Sequence, residues 1–255
     1  MSYNVQGHAD RFLSGYLDRI AEVITAERPD IVGLQEVHRS TGGSRLVDQA
    51  QEIARRTGLD VRFGASYGRN GREFGNAVLS AGAVGETTVH PLPGGSEPRT
   101  LLQSRVAVRG VELDVYVTHF SAWGRLGRKA RLLQATHLVG LLQHARPPFV
   151  LVGDLNASPE TPELRHLLAT TLFRTCGELV CTHRLMRSCL DYVFADLAWT
   201  VLATRVPRAG PSDHWPVVVE LQRDVPALAH TSAPAGDQAA DQVPDPAPAG
   251  EMVSR

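Results

Sequence analysis

Leu151-Val152-Gly153-Asp154-Leu155-Asn156-Ala157-Ser158-Pro159 begins as a buried strand and ends as a loop rich in chemistry. The apolar run from Phe149 to Val152 predicts the strand, which closes by presenting a carboxylate and a carboxamide two residues apart. Side chains at i and i+2 of an extended segment point to one face. Asp154 and Asn156 are therefore expected side by side at the mouth of a sheet, where Pro159 turns the chain into a loop. An acceptor that polarises water, beside a donor that holds an anionic oxygen, is half of a phosphoester-hydrolysing site. Asp and Asn also collect at strand ends simply because they make turns, so the pair gains meaning only if the pattern recurs.

It does recur. Asp30-Ile31-Val32-Gly33-Leu34-Gln35-Glu36 delivers Glu36 after an apolar run, and Asp114-Val115-Tyr116-Val117-Thr118-His119 delivers His119. Cys189-Leu190-Asp191-Tyr192-Val193-Phe194 carries Asp191 at a strand start, and Ser212-Asp213-His214 stands just before Val217-Val218-Val219. Ser2-Tyr3-Asn4-Val5 sets Asn4 in a first strand. Polar groups at the ends of buried strands are where α/β folds build sites.

With Gly75-Asn76-Ala77-Val78-Leu79-Ser80 added, these motifs stand in the order found in the endonuclease/exonuclease/phosphatase superfamily, and the chain resembles it from Met1 to about Leu221. The resemblance implies a four-layered α/β sandwich, two mixed sheets packed face to face with helices outside. Periodicity alone supports only a layered α/β fold. It also implies a phosphodiesterase or phosphatase, with a DNA or RNA nuclease as the alternative and an inactive binding module of the same fold as a third reading. The third predicts loss of the Asp154–Asn156 or Asp213–His214 pair, and both are present.

The chemistry then distributes roles. A phosphate ester repels nucleophiles, so a hard cation must offset its charge, and oxygen ligands suit Mg²⁺, with Mn²⁺ as the alternative. Glu36 is the first ligand candidate, and the resemblance puts Asn4 and Asp213 near it. Asp154 would orient and deprotonate the attacking water, Asn156 would donate to a phosphoryl oxygen, and Asp191 would fix the tautomer of His214. By resemblance, His119 donates to the phosphate or protonates the leaving oxygen. Asn76 and Arg99 are candidate substrate contacts. Displacement is expected to be in line, without a covalent intermediate.

Composition bounds the rest. With 255 residues, 43% hydrophobic and 21% charged, the chain can bury a large core in one domain. A net charge of −1 gives no global field for a polyanion, although local charge decides nucleic-acid contact. Lys129 is the sole lysine, which a GC-rich genome explains more simply than phosphate recognition by arginine. Cys176, Cys181 and Cys189 fit no common zinc spacing and are expected as reduced thiols. No stretch approaches the ~20 apolar residues of a membrane span. A phosphate-ester substrate, possible nucleic-acid contact, a monomer and a cytoplasmic location are expected. The location is conditional on Met1 being the true start, because relatives carry more apolar residues before the position of Asn4.

Along the chain, apolar spacing predicts a helix from Asp10 to Glu27 and a second from about Arg45 to Thr57. Short strands are expected between Asp60 and His119, with loops at Ser66 to Arg72 and Pro91 to Pro98 and a hairpin turn at Arg109-Gly110. Helices follow over Leu126 to Ala145 and Thr161 to Ala169, then three strands. Residues 1–223 form the expected catalytic domain, and 224–255 an Ala/Pro/Asp-rich disordered tail.

Overall fold

The computed structural model describes residues 1–122, 125–177 and 180–223. The expected tail lies outside the described residues. β1 (Ser2–Asn4), β2 (Ile31–Arg39), β3 (Asp60–Arg69) and β4 (Arg72–Ser80) form a sheet ordered β1-β2-β4-β3. Within it β1 runs parallel to β2, and the other pairs are antiparallel. A second sheet is ordered β5-β6-β7-β8-β10-β9. Its strands are β5 (Ala83–Leu92), β6 (Arg99–Val108), β7 (Val111–His119), β8 (Phe149–Asp154), β9 (Phe173–Thr175) and β10 (Asp191–Asp196). Only β7 and β8 pair in parallel. β11 (Trp199–Arg205) and β12 (Val218–Arg223) make a separate antiparallel ribbon.

Alternation along β8 explains the layering. Val150 and Val152 meet Val78, Leu102, Val115 and Val193 between the sheets. Phe149 and Leu151 face the other way, towards Leu138 and Leu142 of α3 (Arg125–Leu142) and Leu164 of α4 (Pro162–Leu168). On the far side, Ile20 and Ile24 of α1 (Tyr16–Glu27) and Ile53 of α2 (Gln49–Thr57) cover Val32, Leu34 and Leu79. The order is helix, sheet, sheet, helix, as expected. Each fully buried aliphatic or aromatic side chain contributes about 1.5–3 kcal/mol. A one-residue slip would exchange the faces of a strand, so register is strongly fixed.

Gly33 lets the first sheet pack closely against the second. A Cβ there would lie 2.2 Å from Val152 Cγ2 and 2.9 Å from Val117 Cγ2. Gly33→Ala is therefore expected to lower stability by about 1–3 kcal/mol through overpacking, read as a lower urea midpoint at unchanged slope.

Several element boundaries differ from the sequence expectation. Gly15, at φ +66°, breaks the first helix into a 3-10 turn at Gly7–Arg11 and α1. Asp48 caps α2 by accepting from the Gln51 N–H, so that helix begins later than Arg45. The region from 60 to 119 holds five strands of nine or ten residues rather than short ones. The expected loop at Ser66 to Arg72 is a two-residue Asn70-Gly71 turn, both at positive φ, whose backbone twist matches the flanking strands. Arg109-Gly110 makes the predicted hairpin turn. The three-residue β9 was not anticipated. All three cysteines are free, and no helix among the described residues is long and apolar enough to cross a membrane.

Candidate active site

Strand register assembles half of the site. His119 at the end of β7 stands opposite Asp154 at the end of β8, and Asp154 stands opposite Asp191 at the start of β10. All three side chains are buried. The first sheet supplies Asn4 from β1 and Glu36 from β2. Asn4 joins the sheets: its Nδ2 donates to Asp154 Oδ2 at 2.9 Å and to Glu36 Oε1 at 3.1 Å. Its Oδ1 accepts the Gln6 N–H at 3.0 Å, which orients the carboxamide.

Two backbone irregularities aim the side chains. Glu36 sits at φ +58° within a register shift between Leu34 and Val37, a bulge that turns its carboxylate to the site. Asn156 sits at φ +48°, so the strand does not continue through it. The expected side-by-side presentation by the strand pleat is thus corrected: the pair is held by a local turn, in which Asn156 N–H donates to Asp154 Oδ1 at 2.8 Å. Asn156 Nδ2 donates to the Phe120 carbonyl at 3.1 Å and lies 3.0 Å from His119 Nε2.

His214, in the loop before β12, completes the centre. Its Nδ1 is 2.7 Å from Asp191 Oδ2, and its Nε2 is 3.7 Å from Asp154 Oδ2. Burial alone would push the imidazole down, but Asp191 and Asp154 outweigh it and raise the ring to about 10. His214 is therefore a cation at neutral pH. Burial, then the Asp191 charge, push the Asp154 carboxyl up to about 7.

His119 has the opposite character. Burial first, then Arg99 and the His214 cation, hold it well below the ordinary histidine value. The Arg99 guanidinium, 4% exposed, lies 2.8 Å from His119 Nδ1 through Nη1. Arginine cannot accept, so Nδ1 is the lone-pair side towards Arg99, while Nε2 lies between Asn156 Nδ2 at 3.0 Å and Asp154 Oδ2 at 3.6 Å. Arg99 Nε is buried without a hydrogen-bond partner, and Nη2 reaches Glu97 at 3.3 Å. In Arg99→Met the His119 ring is expected to titrate at higher pH than in wild type, measured by ¹⁵N-edited NMR. An unchanged titration would mean that Arg99 does not set its charge.

The structure brings Asn4, Glu36, His119, Asp154, Asn156, Asp191 and His214 into one cluster. Asp213 borders it: Gln6 Nε2 donates to its Oδ2 at 2.6 Å, and its charge helps raise Glu36. Asn76 is different. Its buried amide donates to the Thr100 carbonyl at 3.4 Å, bracing the backbone beside Arg99. Sequence reasoning overlooked Gln6, Thr182 and His183. Thr182 Oγ1 accepts the Asp191 N–H at 3.2 Å, and the His183 ring packs edge-on against His214 at 4.7 Å. Ser212 was legible in its Ser-Asp-His setting; its hydroxyl donates to the Asn4 carbonyl at 2.7 Å and accepts the His214 N–H at 3.2 Å.

The donor set fits a hard divalent cation. Glu36 Oε1 is engaged by Asn4, and burial raises the Glu36 carboxyl, with Asp213 adding to the shift. Asp191 Oδ1 is buried without a partner. Asp154, Asp191 and His214 offer ligand atoms within 4.8 Å of one another, as do His183, Asp213 and His214. Both groupings include His214, whose protonated ring has no lone pair to offer, so only the carboxylate oxygens of the first serve an ion, and the second suits a metal poorly. His183 Nδ1 accepts the Met186 N–H at 3.1 Å, which places the ring proton on Nε2, 3.8 Å from Asp213 Oδ2.

Known structures carry the same architecture. An endonuclease/exonuclease/phosphatase from Beutenbergia cavernae is 25% identical with a TM-score of 0.71, over 87% of this chain and 70% of that one. A Bacteroides thetaiotaomicron mannosyl-6-phosphatase is 19% identical with a TM-score of 0.67, covering 87% and 98%. D. rerio TDP2 complexed with a single-strand DNA product is 17% identical with a TM-score of 0.71, covering 87% and 97%. Among curated proteins, none matches the sequence. The model of the Endonuclease/Exonuclease/phosphatase family matches residues 1–214, a span that holds every residue of the cluster from Asn4 to His214, and the chain belongs to that family.

Proposed function

We propose that this protein is a divalent-metal-dependent hydrolase of phosphate esters, acting by in-line attack of a water activated at Asp154. The observation that carries the reading is the placement of Asp154. It is a buried carboxylate held by Asn4 and the Asn156 N–H, between a charged and a neutral histidine, with its carboxyl raised to about 7. A base poised near the working pH is what water activation requires. Family membership adds support, since proteins of this family generally depend on a divalent metal and act on phosphoester bonds.

Glu36, with Asp213 nearby, would hold Mg²⁺ or a similar ion, which would offset phosphate charge and polarise a phosphoryl oxygen. Asn4, whose Nδ2 donates to both carboxylates and whose Oδ1 accepts the Gln6 N–H, orients Glu36 and Asp154 rather than ligating. Asp154 takes the proton of the attacking water. Asn156 and the His214 Nε2–H donate to phosphoryl oxygens as charge builds on them. Asp191 holds His214 in the tautomer that does so. His119 acts as a neutral hydrogen-bonding group rather than as the proton source for the leaving oxygen, because burial and Arg99 suppress its charged form. Arg99 supplies fixed positive charge behind it.

The test is hydrolysis of bis-p-nitrophenyl phosphate and p-nitrophenyl phosphate with Mg²⁺, Mn²⁺ or EDTA. Metal-dependent turnover is expected, and the preferred ester separates diesterase from monoesterase. No turnover with either ester, together with no ion binding by calorimetry in a folded sample, would overturn the reading and favour a binding module.

A further inference from the structure

Residues 6–8 form a turn pressed onto the bulge that carries Glu36. Gln6 stands at φ +44° and opens the 3-10 turn. A Cβ on Gly7 would lie 2.3 Å from the Glu36 carbonyl oxygen and 2.3 Å from Gln49 Oε1, so only glycine permits this approach. Gln49 clamps the turn: its Nε2 donates to the Gly7 carbonyl at 2.8 Å, and its Oε1 accepts the His38 N–H at 2.9 Å. The turn therefore delivers two side chains to two carboxylates. Gln6 reaches Asp213, and His8 Nδ1 comes within 3.8 Å of Glu36 Oε2.

That separation is too long for a hydrogen bond. It lies in the range that two donors of one ion span, because ligand bonds of about 2.0–2.2 Å put neighbouring donor atoms roughly 3–4 Å apart. Glu36 Oε2 faces His8, while Oε1 is held by Asn4. The side chain of His8 is 54% exposed, so its ring can turn to meet an ion. The neighbouring histidines are committed elsewhere: His38 Nδ1 to Thr41, His119 Nδ1 to Arg99, and His214 Nδ1 to Asp191.

We propose that His8 is a nitrogen ligand of the cation held at Glu36, and that it biases the site towards first-row transition ions over Mg²⁺. This rests on the metal-site reading above. Mg²⁺ prefers oxygen donors and keeps its waters, whereas an imidazole adds affinity for borderline ions. The consequence is a change in ion preference set by one exposed side chain outside the sequence motifs.

The test uses the full chain stripped with EDTA and loaded with MnCl₂. Electron spin echo modulation from a coordinated imidazole ¹⁴N is expected in wild type and lost in His8→Gln. Calorimetry should show Mn²⁺ binding weakened about ten-fold or more in that variant, with Mg²⁺ affinity nearly unchanged. Glu36→Gln should release the ion, seen as a rise in the free Mn²⁺ signal. If His8→Gln keeps the ¹⁴N modulation and the Mn²⁺/Mg²⁺ ratio while Glu36→Gln still releases the ion, His8 is no ligand and this inference alone falls. If Glu36→Gln retains the ion as tightly as wild type, the metal-site reading falls and takes this inference with it. A circular-dichroism melt matching wild type establishes that each variant is folded.

Discussion

Asp154→Asn is expected to cut turnover by at least about 10³-fold, within the range that loss of a positioned base produces, without loss of thermal stability. The side chain is 1% exposed and lies among Asn4, His119, Asp191 and His214. Asparagine keeps the shape but cannot take the water's proton, and its amide meets either the Asn4 Nδ2 or the Asn156 N–H as donor against donor. The stability side follows from the raised carboxyl. Between the unfolded value of about 4 and the folded value of about 7 the native state binds the extra proton. Stability from this group is therefore fully present at acid pH and falls as pH rises through that window. At neutral pH the ionised Asp154 destabilises the metal-free fold, and asparagine removes that cost, offsetting the lost hydrogen bond. The measurements are kcat with a chromogenic ester and Tm in EDTA from pH 5 to about 8. A variant with more than a tenth of wild-type activity would remove Asp154 as the base. A large drop in Tm would make its role structural.

How far the sequence could be read follows from where each constraint resides. Apolar alternation at Phe149–Val152 and Val115–Val117 is local, so strands, layers and the polar residues at their ends were legible, and ordered motifs located the cluster from Asn4 to His214. Contacts set by positive φ were not legible. Asn156 and Glu36 look like continuations of strands, and nothing local signals that both turn left-handed to aim their side chains. Gln6 and His8 carry no motif; they reach Asp213 and Glu36 only because Gly7 lets the turn press onto another strand. The charge state of His119 was also hidden. It depends on burial and on Arg99, twenty residues away in sequence but joined to it at 2.8 Å.

The second large effect is expected at Asp191, which acts on two titrating groups at once. Its Oδ2 holds His214 Nδ1 at 2.7 Å, and it stands opposite Asp154 in the register of β8 and β10. Its negative charge raises His214, so that the ring keeps its proton to about 10, and it also raises Asp154 towards 7. Asp191→Asn removes one charge and should lower both values. In a plot of kcat/KM against pH, both limbs should then move to lower pH together. Loss of an ordinary base would instead erase one limb. The rate at the optimum should fall about 10²–10³-fold, because asparagine can hold the ring but no longer stabilises the imidazolium. Stability carries an independent signature. A histidine raised from about 6.5 to about 10 contributes stability that is fully present below the unfolded value and lost as pH rises through the folded one. The Tm difference between wild type and Asp191→Asn should therefore be largest below about pH 6.5 and shrink towards 10. An alkaline limb that stays in place in Asp191→Asn would mean that His214 is not the group being titrated. A shifted limb with an unchanged Tm difference across the window would mean that the pair acts in catalysis without stabilising the fold.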